Sequence, residues 1–175
     1  MLAEAIALAK ARHAGQVRKY TGAPYHTHLE EVARLVATSS HADDSLIAAA
    51  WLHDAIEDTG TTPEELRQRF GEEVARLVDG VTDVSRPEDG SRAARKALDR
   101  AHVAAGCGRI HTLKLADMIS NCATVALLDP RFARTYLAEK RALLAVLTRG
   151  DPDLLSLAAH TLARGDLMLA QGATR

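Results

Sequence analysis

The chain has 175 residues, of which 47% are apolar but only 3% aromatic, so its core must be built mainly from Ala, Leu, Val and Ile. Ala and Leu are strong helix formers, which favours an all-helical protein, expected as one domain over residues 1–175. With 22 basic and 23 acidic residues, no overall charge favours nucleic acid or an anionic membrane as a partner.

The cysteine content and the hydropathy pattern predict the compartment. Two cysteines, Cys107 and Cys122, form no disulfide framework, which is typical of a reducing environment. No apolar run approaches the roughly 20 residues of a membrane span. The first residues also lack the basic start and apolar core of a signal peptide. We therefore expect a soluble cytoplasmic protein; the sequence predicts no oligomeric state.

Apolar periodicity predicts a series of helices separated by loops rich in Gly, Pro and polar residues. The predicted helices cover, in chain order, about 2–13, 27–36, 44–59, 63–70, 72–80, 92–105, 110–128, 132–148 and 152–170. The loop over 18–25 carries two adjacent cations, and a second loop covers 81–90.

Three N-terminal capping signals fix the starts of the helices around the centre of the chain. Thr27 with Glu30 and Thr62 with Glu65 each have the spacing of a capping box. Pro63 suits the first position of the second of these helices. The central helix is expected to be capped within residues 43–45, where acidic and hydroxyl side chains are adjacent.

The most apolar run of the chain, 46–52, leads directly into His53, Asp54, Glu57 and Asp58. Burying a charge without a partner costs several kcal/mol or more, so such groups are usually paired or bound to a metal. On a continuous helix, Glu57 would lie one turn beyond His53, and Asp58 one turn beyond Asp54. This layout suggests a metal site with an acid/base pair beside it.

Two further residues fit the same site. His28 falls at a predicted helix start, where a lone histidine is more often a capping or solvated residue. Asp117 lies in the middle of an otherwise apolar helix, where a surface ion pair with Lys114 would contribute only a few tenths of a kcal/mol. Taken together, the order His, His-Asp, Asp supplies two imidazoles and two carboxylates for one ion.

The residues His28, His53-Asp54 and Asp117 match the H…HD…D pattern of the HD-domain metal-dependent phosphohydrolases. More closely, the chain resembles the hydrolase domain of RelA/SpoT-type alarmone enzymes and the stand-alone small alarmone hydrolases of the animal SpoT homologue type. The matching segments, in the family's order, are 13–19, 22–28 with 32–33, 52–59, 78–82, and 114–117 with Asn121. HD alone is unspecific, whereas HDxxED combined with KLADxxxN is strongly specific.

The resemblance implies a compact multi-helix HD-domain bundle that binds one divalent ion, in this family usually manganese. Ligand chemistry alone would permit Mn, Fe, Co or Zn. The implied metal ligands are His28, His53, Asp54 and Asp117. The implied catalytic residues are Glu57 and Asp58, which would orient a water and shuttle its proton, and Asn121, which matches a position near metal and substrate.

The resemblance also assigns nucleotide binding to a loop and a helix. Arg18 and Lys19 match the loop that contacts the nucleotide, and cations suit a pyrophosphate. Arg131, Arg134 and Tyr136 lie in the segment that matches the substrate-side helix.

Two positions depart from the family pattern. Relatives commonly carry cations where this chain has Met118 and Ala123. The charge could be supplied instead by the 131–136 segment or by a basic cluster in the predicted helix 92–105. Each basic cluster has the alternative reading of a solvated helix face. The members of the second cluster are Arg92, Arg95 and Lys96.

The function implied by the resemblance is a manganese-dependent 3′-pyrophosphohydrolase that converts the guanosine alarmones ppGpp and pppGpp to GDP or GTP plus pyrophosphate. One alternative is an HD phosphohydrolase of another phosphorylated nucleotide, such as an adenosine alarmone or the 2′-phosphate of NADPH. Another is a non-catalytic helical module that binds a nucleotide or a partner. Intact Glu57 and Asp58 argue against that module. The expected partner is a small nucleotide, with neither nucleic acid nor membrane.

Overall fold

The structure is a computed structural model that describes residues 1–172. The helices are α1 Leu2–Arg12, α2 His26–Ala37, α3 Asp44–Leu52, α4 Ala55–Thr59, α5 Pro63–Phe70, α6 Glu72–Asp79, α7 Arg92–Ala105, α8 Gly108–Cys122, α9 Val125–Leu128, α10 Pro130–Leu144 and α11 Pro152–Gly172. A 3₁₀ turn covers Pro87–Asp89. Within residues 1–172, the only β-type pairing is an isolated bridge between Val17 and Pro24. The all-helical prediction is confirmed.

Two of the three capping predictions are confirmed. The Asp43 side chain accepts a hydrogen bond from the backbone N–H of Leu46 at 2.8 Å and so caps α3. The Thr62 hydroxyl accepts from the Glu65 N–H at 3.1 Å, with Pro63 at the first helical position of α5. Caps of this kind typically stabilise a helix by about 1 kcal/mol.

The Thr27 cap is wrong. Helix α2 already begins at His26, and Tyr25 occupies the N-cap position without a side-chain cap. Thr27 Oγ1 instead donates to the Pro24 carbonyl at 2.8 Å, and the Thr27 N–H also donates to that oxygen, at 3.0 Å. The turn that follows Pro24 therefore starts the helix through its carbonyl, and His28 lies at the third helical position.

Two predicted helices are each broken into two. The central helix ends at Leu52, and α4 begins at Ala55, because Asp54 has φ −96° and ψ 0°, outside the helical region. The predicted helix over 110–128 is interrupted at Thr124, which has φ −124° and ψ −9°. Apolar side chains continue on both sides of each break, so hydropathy alone gives no sign of either. His53 and Asp54 thus lie at a corner between two helices, not on one continuous helix.

Helix α3 lies at the centre of the fold, packed against α1, α2 and α6. Its apolar residues are buried on nearly every side, which explains why the run 46–52 has no polar face. Helix α8 packs against α2 and α11 and is also mostly buried. None of the helices in the described part of the chain is long and apolar enough to cross a membrane. This packing places the C-terminal end of α3 and the middle of α8 next to the start of α2.

Candidate metal centre and its flanking cavities

The site is centred on two adjacent histidines, each of which has a ring nitrogen without a hydrogen-bond partner. His28 and His53 are only 1% and 2% exposed, and their rings meet edge to face with centroids 5.2 Å apart. The Nε2 atom of each is buried and makes no hydrogen bond to the described residues. Buried polar atoms in native proteins nearly always have a partner. Two such nitrogens side by side therefore indicate a ligand between them.

The partners of the Nδ1 atoms determine which nitrogen of each ring carries the proton. His53 Nδ1 lies 2.8 Å from the Ala50 carbonyl, which can only accept, so Nδ1 is protonated. His28 Nδ1 lies 2.8 Å from Ser120 Oγ, and that hydroxyl donates to Glu31 Oε2 at 2.7 Å. The hydroxyl proton is thus engaged, so His28 Nδ1 is the donor. In the neutral form of each ring, Nε2 therefore presents a lone pair, as a metal ligand must.

Two carboxylates complete the cluster. Asp54 Oδ2 lies 3.2 Å from His53 Nε2 and 3.5 Å from His28 Nε2. Asp117 Oδ1 lies 3.5 Å from His28 Nε2 and 3.8 Å from His53 Nε2. Ligand atoms of His28, His53 and Asp117 lie within 4.8 Å of one another, a spacing that could hold a metal ion. Mixed imidazole and carboxylate donors suit Mn, Fe, Co or Zn, so the donor set fits the divalent ion that the resemblance implies.

Neighbouring groups keep the two carboxylates ionised. Burial alone would raise the pKa of Asp117, but Lys114 at 3.3 Å and the two imidazoles hold that pKa well below its usual range. Asn121 Nδ2 also donates to Asp117 Oδ1 at 2.6 Å. Tyr25 donates its hydroxyl to Asp54 Oδ2 at 2.7 Å. The Asp117–Lys114 pair is buried, so the surface ion pair considered from the sequence does not describe it.

Two cavities flank the cluster. The cationic cavity, of about 340 Å³, includes both cluster carboxylates in its wall. Its basic residues are Arg92, Lys96, Arg100, Lys114 and Lys140. The loop cavity, of about 270 Å³, is lined by Arg18, Lys19 and His28 among others. The residues common to both walls are Tyr25, Asn121 and Tyr136. A ligand with two phosphorylated arms could therefore extend from the cluster into both cavities.

Glu57 and Asp58 line the cationic cavity beside Asp54. Loss of hydration raises the pKa of Glu57, although its Oε1 accepts a hydrogen bond from the Asp83 N–H. Loss of hydration, followed by the charge of Asp54, raises the pKa of Asp58. Carboxylates with raised pKa values in a cleft are candidates for general acid/base chemistry.

The structure brings some of the predicted substrate-binding residues to the cavities but not others. Arg18 and Lys19 line the loop cavity, and Tyr136 lines both. Arg131 and Arg134 are exposed on α10 and belong to neither wall. Their predicted role stays a prediction.

Lys140 is a residue that the sequence reasoning missed. It lines the cationic cavity, and burial lowers its pKa. Within residues 1–172, no carboxylate lies within 4.0 Å of its Nζ, which sits 5.0 Å from the centre of the Tyr136 ring. Helical spacing is the sequence feature that could have identified Lys140. Tyr136, Lys140 and Leu143 fall on one face of α10, and all three line this cavity.

These features define a class of protein: a helical domain in which histidines and aspartates from separate helices form a buried cluster that could hold a metal ion. The family model for the HD domain matches residues 5–149, and the chain belongs to that family. The resemblance found in the motifs is thereby confirmed.

Two curated proteins are similar to this chain over about two thirds or more of its length. The chain is 42% identical over 117 residues to a guanosine-3′,5′-bis(diphosphate) 3′-pyrophosphohydrolase of Aquifex aeolicus, covering 67% of this chain and 16% of that protein. It is 41% identical over 127 residues to a probable GTP pyrophosphokinase of Mycobacterium leprae, covering 72% of this chain and again 16% of the relative. The chain thus spans less than a fifth of the length of these curated relatives.

A solved structure matches over nearly the whole chain. It is described as a metazoan ortholog of SpoT that hydrolyzes ppGpp and plays a role in starvation responses. The TM-score is 0.83 at 25% identity, and the match covers 93% of this chain and 94% of the other.

Proposed function

We propose that the protein is a metal-dependent 3′-pyrophosphohydrolase of guanosine alarmones. The observation that carries this proposal is the pair of unbonded His28 and His53 Nε2 atoms facing Asp54 and Asp117 between two cavities, one lined with cations. The activities named for the Aquifex relative and the metazoan structure support the choice of substrate.

The proposed ligands of the ion are His28, His53, Asp54 and Asp117, and the proposed ion is Mn²⁺. A divalent ion held there would supply Lewis acidity, which polarises a phosphoryl oxygen and lowers the pKa of a water. The chain's contribution is to fix two imidazole lone pairs and two ionised carboxylates in a buried pocket. Asn121 holds Asp117 in place through its amide and lies on the shared wall of both cavities.

Glu57 and Asp58 orient the attacking water and accept one of its protons. The water oxygen forms a bond to the phosphorus next to the 3′ oxygen, and the bond from that phosphorus to the 3′ oxygen breaks. One water proton ends on the 3′ oxygen, giving a free hydroxyl, and pyrophosphate leaves. The raised pKa values of the two carboxyl groups suit a proton carrier better than those of fully hydrated carboxylates.

Arg18, Lys19 and Tyr136 bind the nucleotide from the loop cavity. Lys140, with no carboxylate partner in residues 1–172, is available for a phosphate in the cationic cavity. Arg92 and Lys96 line that cavity but are already paired with Glu139 and Asp83. Pairing of Lys140 with a phosphate therefore displaces no ion pair within residues 1–172. The same holds for Arg100 on the same wall, whose Nη1 donates to the Lys96 carbonyl. The cytoplasmic location and the lack of a nucleic-acid partner stay predictions.

Lys140→Met tests this phosphate contact. We expect KM for the guanosine alarmone to rise at least tenfold, because a charge-assisted hydrogen bond contributes about 1.5–3 kcal/mol. Lys10→Met is the matched control, because Lys10 stacks on Trp51 away from the cavities. Steady-state kinetics with Mn²⁺-loaded protein measure both. An unchanged KM in the Lys140 variant would remove this residue from the binding site.

The substrate itself is tested by comparing kcat/KM for ppGpp, its adenosine analogue and NADPH. We expect release of pyrophosphate from ppGpp with weak discrimination against the adenosine analogue. The reason is that Met118 is 1% exposed and Ala123 has no charge, so neither supplies the cation common in relatives. One lost charge-assisted bond changes preference by roughly tenfold or more.

The outcomes separate the candidate functions. Efficient NADPH dephosphorylation without turnover of either alarmone would overturn the substrate proposal and leave the metal chemistry standing. Binding of nucleotides without hydrolysis of any would favour the non-catalytic module.

A further inference from the structure

A chain of polar contacts runs from the loop cavity to a proposed metal ligand. Arg18 Nη1 lies 3.2 Å from Glu31 Oε2, and the same carboxylate oxygen accepts from Ser120 Oγ at 2.7 Å. Ser120 Oγ then lies 2.8 Å from His28 Nδ1. Arg18 also reaches the backbone carbonyl of Ser120, with Nη2 at 3.4 Å. We call this series, Arg18–Glu31–Ser120–His28, the relay.

The relay has a partly exposed half, Arg18 and Glu31, and a buried half, Ser120 and His28. The Glu31 side chain is 45% exposed and that of Arg18 is 22% exposed, whereas Ser120 is 2% exposed. Ser120 is therefore almost entirely shielded from water, and Arg18 Nη1, which lies 3.5 Å from its hydroxyl oxygen, can only donate to it. The choice for the hydroxyl proton is between Glu31 and His28.

We propose that Arg18, Glu31 and Ser120 are positioning residues that set the tautomer of His28. This proposal rests on the metal-dependent function proposed above. Glu31 accepts the Ser120 proton, so Ser120 must accept the His28 Nδ1 proton, and Nε2 keeps its lone pair for the ion. Arg18 holds Glu31 in the required position.

The contacts of the relay also predict how the loss of one of its residues would affect metal binding by His28. Without the Glu31 carboxylate, the Ser120 hydroxyl is free to rotate and donate to His28 Nδ1. That arrangement favours the tautomer with the proton on Nε2, which cannot bind a metal. Without the Ser120 hydroxyl, Nδ1 has no fixed partner and the ring loses its orientation as well. Arg18 thus serves the metal centre in addition to the nucleotide site.

The test is a calorimetric titration of the chelator-stripped 175-residue chain with Mn²⁺, in the absence of nucleotide. We expect Ser120→Ala to raise the Kd for Mn²⁺ by about 10–100-fold, the usual effect of losing a hydrogen-bond partner of a metal ligand. Glu31→Ala and Arg18→Ala should raise Kd in the same direction by a smaller factor, because they act through Ser120.

Two neighbouring residues provide matched controls. Glu30→Ala removes the adjacent carboxylate of α2, which pairs with Arg34 and is outside the relay. Lys19→Ala removes the adjacent cation of the loop, whose Nζ contacts Tyr20 and not the relay. Both variants should keep the wild-type Kd. If the three relay variants also keep it, the relay proposal is overturned while the metal site stands. If the wild type binds no divalent ion, the proposed function itself fails.

A second measurement does not depend on the ion. Nitrogen-15 NMR of the metal-free protein, recorded at a pH high enough for His28 to be neutral, should show His28 protonated on Nδ1 in the wild type and shifted towards the Nε2-protonated form in Glu31→Ala. His53, bonded to the Ala50 carbonyl, should be unchanged and serves as the internal control. A His28 tautomer that is the same in both proteins would contradict the relay even if Ser120→Ala failed to fold.

Discussion

His53→Ala should lose divalent-ion binding, turnover and the stabilisation that the ion provides. The substitution removes one of the two buried Nε2 lone pairs, and no other described side chain is in a position to replace it. An ion bound only to the folded state stabilises by about 2.7 kcal/mol at a free concentration of 100 times Kd, which is roughly 5–11 °C in Tm for a chain of this size. Metal content after purification and Tm with and without Mn²⁺ are the measurements.

His111→Ala is the matched control, because His111 is also a fully buried histidine but bonds to the Val103 carbonyl and accepts from the Arg149 N–H. Both variants remove the same side-chain volume from a buried position and should melt earlier than the wild type in chelator. Only the His53 variant should fail to gain stability when Mn²⁺ is added. Full metal occupancy in His53→Ala would show that the proposed ligand set is wrong.

The residue types that form the buried cluster were predictable from the sequence, because burial of a charge constrains what can surround it. Four ionisable side chains directly after the apolar run 46–52 require partners. The structure supplies those of His53 and Asp54 from α2 and α8, and the Asp83 N–H bonds to Glu57. The order of His28, His53-Asp54 and Asp117 along the chain is itself the family pattern. The geometry of the site was harder to predict, because the apolar pattern of the sequence continues across the corner at Asp54 and gives no sign of the helix break.

Two parts of the site, the Glu31–Ser120 contact and the position of Lys140, could not be predicted without the structure. They depend on helix register and on which helices pack together. Glu31 is three residues after His28, and Ser120 three after Asp117, so each lies on the face of its helix that carries a proposed ligand. Helical spacing could have nominated both, but not the contact between α2 and α8 that joins them. Similarly, the register of α10 decides that Lys140 faces the cavity.

Glu57→Gln should lower kcat by roughly 10²–10⁴-fold, the loss expected for a positioned acid/base group. The amide retains an oxygen that can accept from the Asp83 N–H, so the side chain should keep its position at the cavity wall. It cannot take a proton from water at neutral pH. Because the substitution leaves the four proposed ligands untouched, the Kd for Mn²⁺ and the KM for ppGpp should change little. Calorimetry and steady-state kinetics on the same preparation separate these effects.

Glu64→Gln provides the control, since Glu57 and Glu64 each lie in the first turn of a helix, but Glu64 pairs with Arg67 on the surface. It should turn over ppGpp like the wild type. Asp58→Asn distinguishes the two members of the pair: if it loses turnover while Glu57→Gln does not, Asp58 alone carries the proton. Wild-type turnover in both variants would mean that neither carboxylate acts on the water, and that their raised pKa values reflect only reduced hydration at the cavity wall.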